Sequence, residues 1–321
     1  MMADDLGNAG AESGWERRLL EKLALDSLKE QRARRRWGIF FKVLTFVYLG
    51  AVLFYALDLG GASDGIGDGK RHTSMVQLTG VIRDKSDASA ERIMEALQNA
   101  FEDKGTVGVV LKINSPGGSP VQSGMIYDEI LRLRAKHPRI PLYAVVEDIC
   151  ASGGYYIASA ADAIYVDKAS IIGSIGVLMD GFGFVGSMEK LGVERRLLTA
   201  GENKGFLDPF SPQQPKQLEF AKAMLGEVHQ QFIDAVRKGR GKRLKETPET
   251  FSGLMWTGAK GVSMGLADGF GTVDSVAREV IKAEDVRDYT VKQNFAERFA
   301  QKLGSETAAS LAYALGHWSM R

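Results

Sequence analysis

Twice in this chain an apolar run ends in a Gly-Gly corner and a helix-compatible segment follows. The first runs Val107 to Ile113, then Asn114-Ser115-Pro116-Gly117-Gly118-Ser119. The second runs Leu142 to Val146, then Cys150-Ala151-Ser152-Gly153-Gly154, then Tyr155 to Ala161. Val107–Ile113 is broken only by Lys112, and a near-continuous apolar run is what a strand buried on both faces requires. Such strands belong to parallel sheets joined by right-handed helical crossovers. The alternation continues on either side. Met75–Ile82 reads as a strand, and Glu91–Phe101 places Ile93, Leu97 and Phe101 on one helical face. Ile126, Ile130 and Leu133 mark a further helix, and Ile164–Val166 a further strand. Gln213–Lys238 and Ser275–Ala283 read as later helices. The fold class is α/β.

A serine at such a corner lies at a helix N-terminus, beside backbone N–H groups without partners, which suit a developing oxyanion. Ser152 is therefore a candidate nucleophile. The donors expected at the two corners are the N–H groups of Gly117 or Gly118 and of Gly153, with Pro116 setting the entry of the first loop.

A serine nucleophile needs a base. The chain has four histidines: His72, His137, His229 and His317. None sits in a Gly-rich loop, and they read as surface or helix-packing residues. Glu147 and Asp148 read as polar contacts at a strand end, since a Ser-His-Asp site would need the absent histidine. Lys204 is the alternative base, in the small-residue loop Thr199-Ala200-Gly201-Glu202-Asn203-Lys204-Gly205. Burial would favour its uncharged form. Ser174, in Gly173-Ser174-Ile175-Gly176, could orient that amine. Cys150 is the only cysteine, so no intrachain disulfide forms, and it reads as a packing residue. A net charge of +1 offers nothing global for nucleic acid.

The apolar stretch Gly38–Leu57 holds one charge, Lys42, and its twenty helical residues would rise about 30 Å, the thickness of a bilayer core. Arg32, Arg34, Arg35 and Arg36 precede it, so the positive-inside rule puts residues 1–37 in the cytoplasm and the rest on the external face. The expected organisation is a cytoplasmic segment (1–37), a transmembrane helix (38–57), a Gly- and Asp-rich tether (58–73), a catalytic domain (74–290) and a C-terminal helical extension (291–321). Phe182, Phe184 and Val185, set among glycines, suit either a substrate groove or a subunit contact.

Asn114-Ser115-Pro116-Gly117-Gly118, Ala151-Ser152-Gly153-Gly154-Tyr155-Tyr156, Gly173-Ser174-Ile175-Gly176 and Gly201–Lys204, in this order and spacing, resemble the signal peptide peptidase A family in its short bacterial form. The resemblance covers about residues 35–290. It implies a Clp protease/crotonase-like core of repeated β-β-α units behind an N-terminal transmembrane helix. It also implies Ser152 as nucleophile, Lys204 as general base and Ser174 as the hydroxyl positioning the amine. Peptide substrates are implied, cleaved signal peptides foremost, together with a ring-shaped homo-oligomer, an octamer, in which neighbouring subunits can complete one site with Ser152 and Lys204 on different chains. No cofactor or metal is expected. The rival readings are a crotonase-like acyl-CoA enzyme, with the same two corners holding an enolate, and a non-catalytic membrane scaffold.

Overall fold

The computed structural model describes residues 22, 31–32, 34–52 and 69–291. The chain divides into two units, Ser63–Gln293 and a second made of Met1–Ala62 with Asn294–Arg321.

In the second unit, residues 34–52 form one helix whose apolar side chains, Phe46 and Tyr48 among them, are exposed. Among the described residues no helix is long and apolar enough to cross a membrane. The expected span 38–57 is thus not found as such. Of that stretch residues 38–52 are described and are helical throughout, as are Arg34, Arg35 and Arg36 before them. Residues 53–57, most of the tether, most of the expected cytoplasmic segment and the C-terminal extension after residue 291 lie outside the described residues.

The Ser63–Gln293 unit is built on a mostly parallel eight-stranded sheet. Strand β1 (His72–Thr79) starts earlier than Met75, because His72 and Thr73 are already buried. Helix α1 (Ala90–Glu102) turns Ile93, Leu97 and Phe101 into the core. Strand β2 (Thr106–Ser115) pairs in parallel with β1. Helix α2 (Pro120–Lys136) is capped by the Ser119 hydroxyl, which accepts from the Gln122 N–H, and has proline in its first turn. Its Ile126, Ile130 and Leu133 are fully buried. Strand β3 (Leu142–Ala151) reaches Ser152 itself, and the short helix α3 (Gly153–Ala158) follows.

Strand β3 serves two neighbours. Tyr143–Val145 pair with β4 (Ala163–Val166), while Ile149–Ala151 pair with β5 (Ile171–Gly173). Between them its pairing with β2 slips by two residues, from Ile113 opposite Val146 to Ser115 opposite Cys150. The extra residues are Glu147 and Asp148. Lys112 Nζ lies 2.8 Å from Glu147, and Asn114 donates to Asp148 at 2.9 Å. These acids therefore mark a bulge inside a strand rather than a strand end, and a bulge redirects a strand. It carries Ala151 onto the β5 edge.

The remaining elements are helix α4 (Val185–Lys190), the long helix α5 (Pro215–Arg240), strand β6 (Met255–Thr257, antiparallel to β5), helix α6 (Gly258–Met264), strand β7 (Gly269–Phe270), the one-turn helix α7 (Val273–Ser275) and strand β8 (Val286–Asp288). The expected helix over 275–283 is instead a π-helical turn, Val276–Ile281, ended by Lys282 in a left-handed conformation. At the α5 terminus Arg240, 1% exposed, donates to both carboxylate oxygens of Asp268, at 2.7 and 2.8 Å.

Candidate active site

Ser152 is the residue between β3 and α3, and its backbone sits at φ +51°, ψ −123°. A side-chain-bearing residue rarely adopts a positive φ. What holds it there is local. Its N–H donates to the Gly173 carbonyl on β5, and its carbonyl accepts from Tyr156 N in the first turn of α3. The strand fixes one side of the residue and the helix the other, so the side chain is left at the mouth of α3.

The first corner closes against the second. Gly117 and Gly118 both have positive φ. A Cβ on Gly117 would lie 2.7 Å from Gly153 N and from Ser152 Cβ. A Cβ on Gly118 would run into the Ile82 carbonyl, and one on Gly153 into Ser123 Oγ. The backbones approach as closely as they do because these positions lack side chains. Ile82 ties the loop down, accepting from Ser119 N and donating to the Gly117 carbonyl.

The donor pair is narrower than the sequence suggests. The Gly117 N–H donates to Ser115 Oγ at 3.1 Å, and Ser115 in turn donates to the Gly80 carbonyl at 2.7 Å. That N–H is committed. Gly118 and Gly153 N–H have no acceptor among the described residues, and Gly153 is the first residue of a helix, where N–H groups lack intrahelical partners. The two corners thus leave one free donor each, beside Ser152. Ser115, which sequence reasoning passed over, decides which.

Ser174 follows β5, as Ser152 follows β3, and it too has a positive φ, +52°. Its N–H donates to the Leu254 carbonyl at 2.8 Å. Because Ala151 and Gly173 pair across the sheet, the two serines leave adjacent strands at the same level. Both line one cavity of about 840 Å³, together with Pro116, Gly118 and Gly153. Neither hydroxyl has a hydrogen-bond partner among the described residues.

Lys204 is not there. It lies exposed in the turn-rich stretch 201–207, its N–H donating to Gly201, and it does not line the cavity. Among the described residues no lysine or histidine lines it. The chain therefore brings together Ser152, Ser174, Gly118 and Gly153, and leaves Lys204 outside. The described histidines are engaged or placed elsewhere. His72 is buried against Tyr289, whose phenol burial and Asp103 push up to about 12. His229 meets the Ile175 carbonyl, and His137 packs on Phe101. Burial pushes the Cys150 thiol up, which keeps it a packing residue.

Phe182 and Phe184 do not line the cavity either. Phe184 stacks on Phe210, and Phe182 is 81% exposed. With Leu178, Leu191 and Leu198 they make residues 178–198 the most apolar exposed stretch of the Ser63–Gln293 unit.

The sequence matches Peptidase family S49 over residues 134–287, which include Ser152, Ser174 and Lys204 but not Gly117 or Gly118. It is 49% identical over 183 residues to the protein named Na(+)/H(+) antiporter NhaA of Brucella melitensis, covering 57% of this chain and 25% of that one. It is 29% identical over 234 residues to the putative signal peptide peptidase SppA of Enterococcus faecium, covering 70% and 67%. It is 28% identical over 212 residues to Protease 4 of Haemophilus influenzae, covering 66% and 34%. The chain spans a quarter of the length of the Brucella relatives.

Proposed function

We propose, on the match to Peptidase family S49 and the likeness to the SppA and Protease 4 proteins, that this chain is a membrane-attached serine endopeptidase acting on small or unfolded peptides, signal-peptide remnants foremost. Ser152 is the nucleophile. The carrying observation is its strained position between two free N–H donors, Gly118 and Gly153, at the edge of a cavity large enough for a peptide side chain.

In this reading Lys204 is the base, delivered by a neighbouring subunit of a ring, with the octamer as the expected form and a Clp protease/crotonase-like β-β-α core in each subunit. The exposed apolar stretch 178–198 supports such a contact, since contiguous apolar surface marks an interaction site. Buried at that contact, the amine is held uncharged and takes the Ser152 proton. Ser174 orients it. The Ser152 oxygen attacks the scissile carbonyl, the C–N bond breaks, and the protonated lysine gives its proton to the leaving amine. Water, deprotonated by the same lysine, then releases the acyl group. The oxyanion rests on the two N–H groups throughout, and each donor of this kind is worth about 3 kcal/mol in the transition state.

Membrane attachment is the reading of the exposed apolar helix 34–52 with its arginine-rich start. It places residues 1–37 in the cytoplasm and the catalytic domain on the periplasmic or external face of a bacterial inner membrane.

The test uses purified full-length protein with a fluorophosphonate probe and casein. Wild type is expected to label on Ser152 and cleave, and Ser152→Ala and Lys204→Ala each to lose cleavage while keeping their fold. Near-normal turnover by either variant rejects the dyad. A label on Ser152 also separates this reading from the acyl-CoA one.

A further inference from the structure

The cavity at Ser152 extends between two helices. From α2 it receives Val121, Met125 and Asp128, which share one face at i, i+4 and i+7. From α5 it receives Phe232, and Tyr156 closes it from α3. Apolar and aromatic side chains make up much of the wall, with Ser123, Gln231 and Ser252 between them, and Tyr156 packs on Phe232 with ring centroids 5.0 Å apart. Of the described residues that line the cavity, Asp128 alone carries a charged side chain. Among the described residues its carboxylate has no ion pair and no hydrogen bond. Burial first, and the Asp128 charge second, push the Tyr156 phenol up, so the carboxylate acts on the cavity wall itself.

Asp128 is exposed, so its carboxylate stands at the open rim of the cavity, where a leucine side chain would offer it no partner. A lysine or arginine side chain fits both parts. Its methylene stem covers the wall while its head reaches the acid. From this juxtaposition we infer that the cavity is a specificity pocket for a basic residue at the cleavage point, with Asp128 as the group that reads it. The inference rests on Ser152 being the nucleophile, since that is what makes the cavity adjacent to the scissile bond.

The test separates binding from turnover. Peptides identical except for Leu, Lys, Arg or Glu at the residue whose carbonyl is attacked are titrated onto full-length Ser152→Ala protein. Lys and Arg peptides are expected to bind about tenfold more tightly than the Leu peptide, the scale of a charge-assisted hydrogen bond at a partly open site, and the Glu peptide most weakly. Asp128→Asn on the same background is expected to erase the Lys-to-Leu ratio. Asp128→Lys is expected to reverse the order of the Lys and Glu peptides, an outcome that loss of fold cannot imitate. Equal binding of Lys and Leu peptides, or a ratio unmoved by either substitution, overturns the inference. A change in oligomer mass in Asp128→Asn without a change in that ratio also overturns it, by assigning the carboxylate to a subunit contact. If the ratios behave as expected but wild type cleaves none of the peptides, the hydrolase reading fails and the basic pocket stands.

Discussion

The Ser152 corner and the stretch 177–210 are built on opposite principles. At the corner, a Cβ on Gly117, Gly118 or Gly153 would collide with backbone or a buried side chain, and the neighbouring hydrogen bonds lie within the unit. In the other stretch, a Cβ on Gly181, Gly183, Gly186, Gly192 or Gly201 would meet nothing within 4 Å, and Leu198 is 97% exposed. The corner is complete in one chain. The stretch carrying Lys204 packs Phe184 on Phe210 and Phe206 on Phe220, yet leaves Leu198 and Phe182 exposed beside a candidate base. The difference teaches that Ser152 and its two N–H donors are held by contacts within one chain, whereas Lys204 lies on an open surface that on the proposed mechanism a neighbouring chain has to cover.

The largest effect that can break this comparison is complementation. Mixed Ser152→Ala and Lys204→Ala protein, each inactive alone, is expected to regain about a quarter of wild-type activity when co-assembled at equal ratio, because a head-to-tail contact pairs one intact serine with one intact lysine in that fraction of sites. Casein hydrolysis by the reassembled mixture measures it. A mixture as dead as its components puts both groups on one chain, and the outer stretch would then have to fold inward.

A glycine pair sharpens the contrast next. Gly118→Ala forces a side chain against the Ile82 carbonyl at φ +153°. Overpacking and backbone strain together should cost about 4 kcal/mol. Gly181→Ala meets open space and should stay within about 0.5 kcal/mol of wild type. Denaturant midpoints of the two variants compare the regions directly, and equal midpoints would mean that the corner is not the close-packed half.

The enclosed half also holds buried charge. Burial pushes the Asp268 carboxyl up, but Arg240, the Ile164 N–H and Arg243 outweigh it and hold the group below its ordinary value. A carboxyl whose folded pKa is depressed stabilises above the unfolded value, near ~3.9, and loses that contribution as pH falls through the folded one. Asp268→Asn should therefore cost about 3 kcal/mol at pH 7, where it strands a buried guanidinium. The gap from wild type should narrow as the solution is acidified below about pH 4. Unfolding midpoints from pH 7 to pH 3 test it, and a constant gap would detach the effect from this carboxyl.

Which parts of this were legible in the chain follows from range. The faces of α1 and α2 could be read because Ile93, Leu97 and Phe101, or Ile126, Ile130 and Leu133, repeat at helical spacing and are buried together. Strand β3 read as ending at Val146 because Glu147 and Asp148 interrupt its apolar run. The bulge that lets it continue needs Lys112 and Asn114 from β2, which no local pattern in β3 shows. Gly117 and Gly118 were equal candidates until Ser115 was seen to occupy one of them. The π-helical turn after Ser275 keeps a helical apolar spacing and differs only in its hydrogen bonding. Lys204 was legible as a residue type in a small-residue loop, but a loop's sequence carries no information on which surface it will meet.

The smallest effect concerns the strain at Ser152. Its φ of +51° costs a side-chain-bearing residue about 1–3 kcal/mol, which glycine at the same place avoids. Glycine also gives the unfolded chain more freedom, which takes back about 0.5–1 kcal/mol. Ser152→Gly should then be more stable than wild type by about 1 kcal/mol, while hydrolysis is lost with the hydroxyl. Chemical denaturation of the two proteins decides it, and an unchanged or lower midpoint would mean that the corner holds its serine without strain. A gain would show that the fold tolerates a less stable residue where the reaction needs it. Gly181→Ser serves as the control from the other region: its backbone is not in the left-handed range and its surroundings are open, so the exchange in the opposite direction should leave the midpoint nearly where it was.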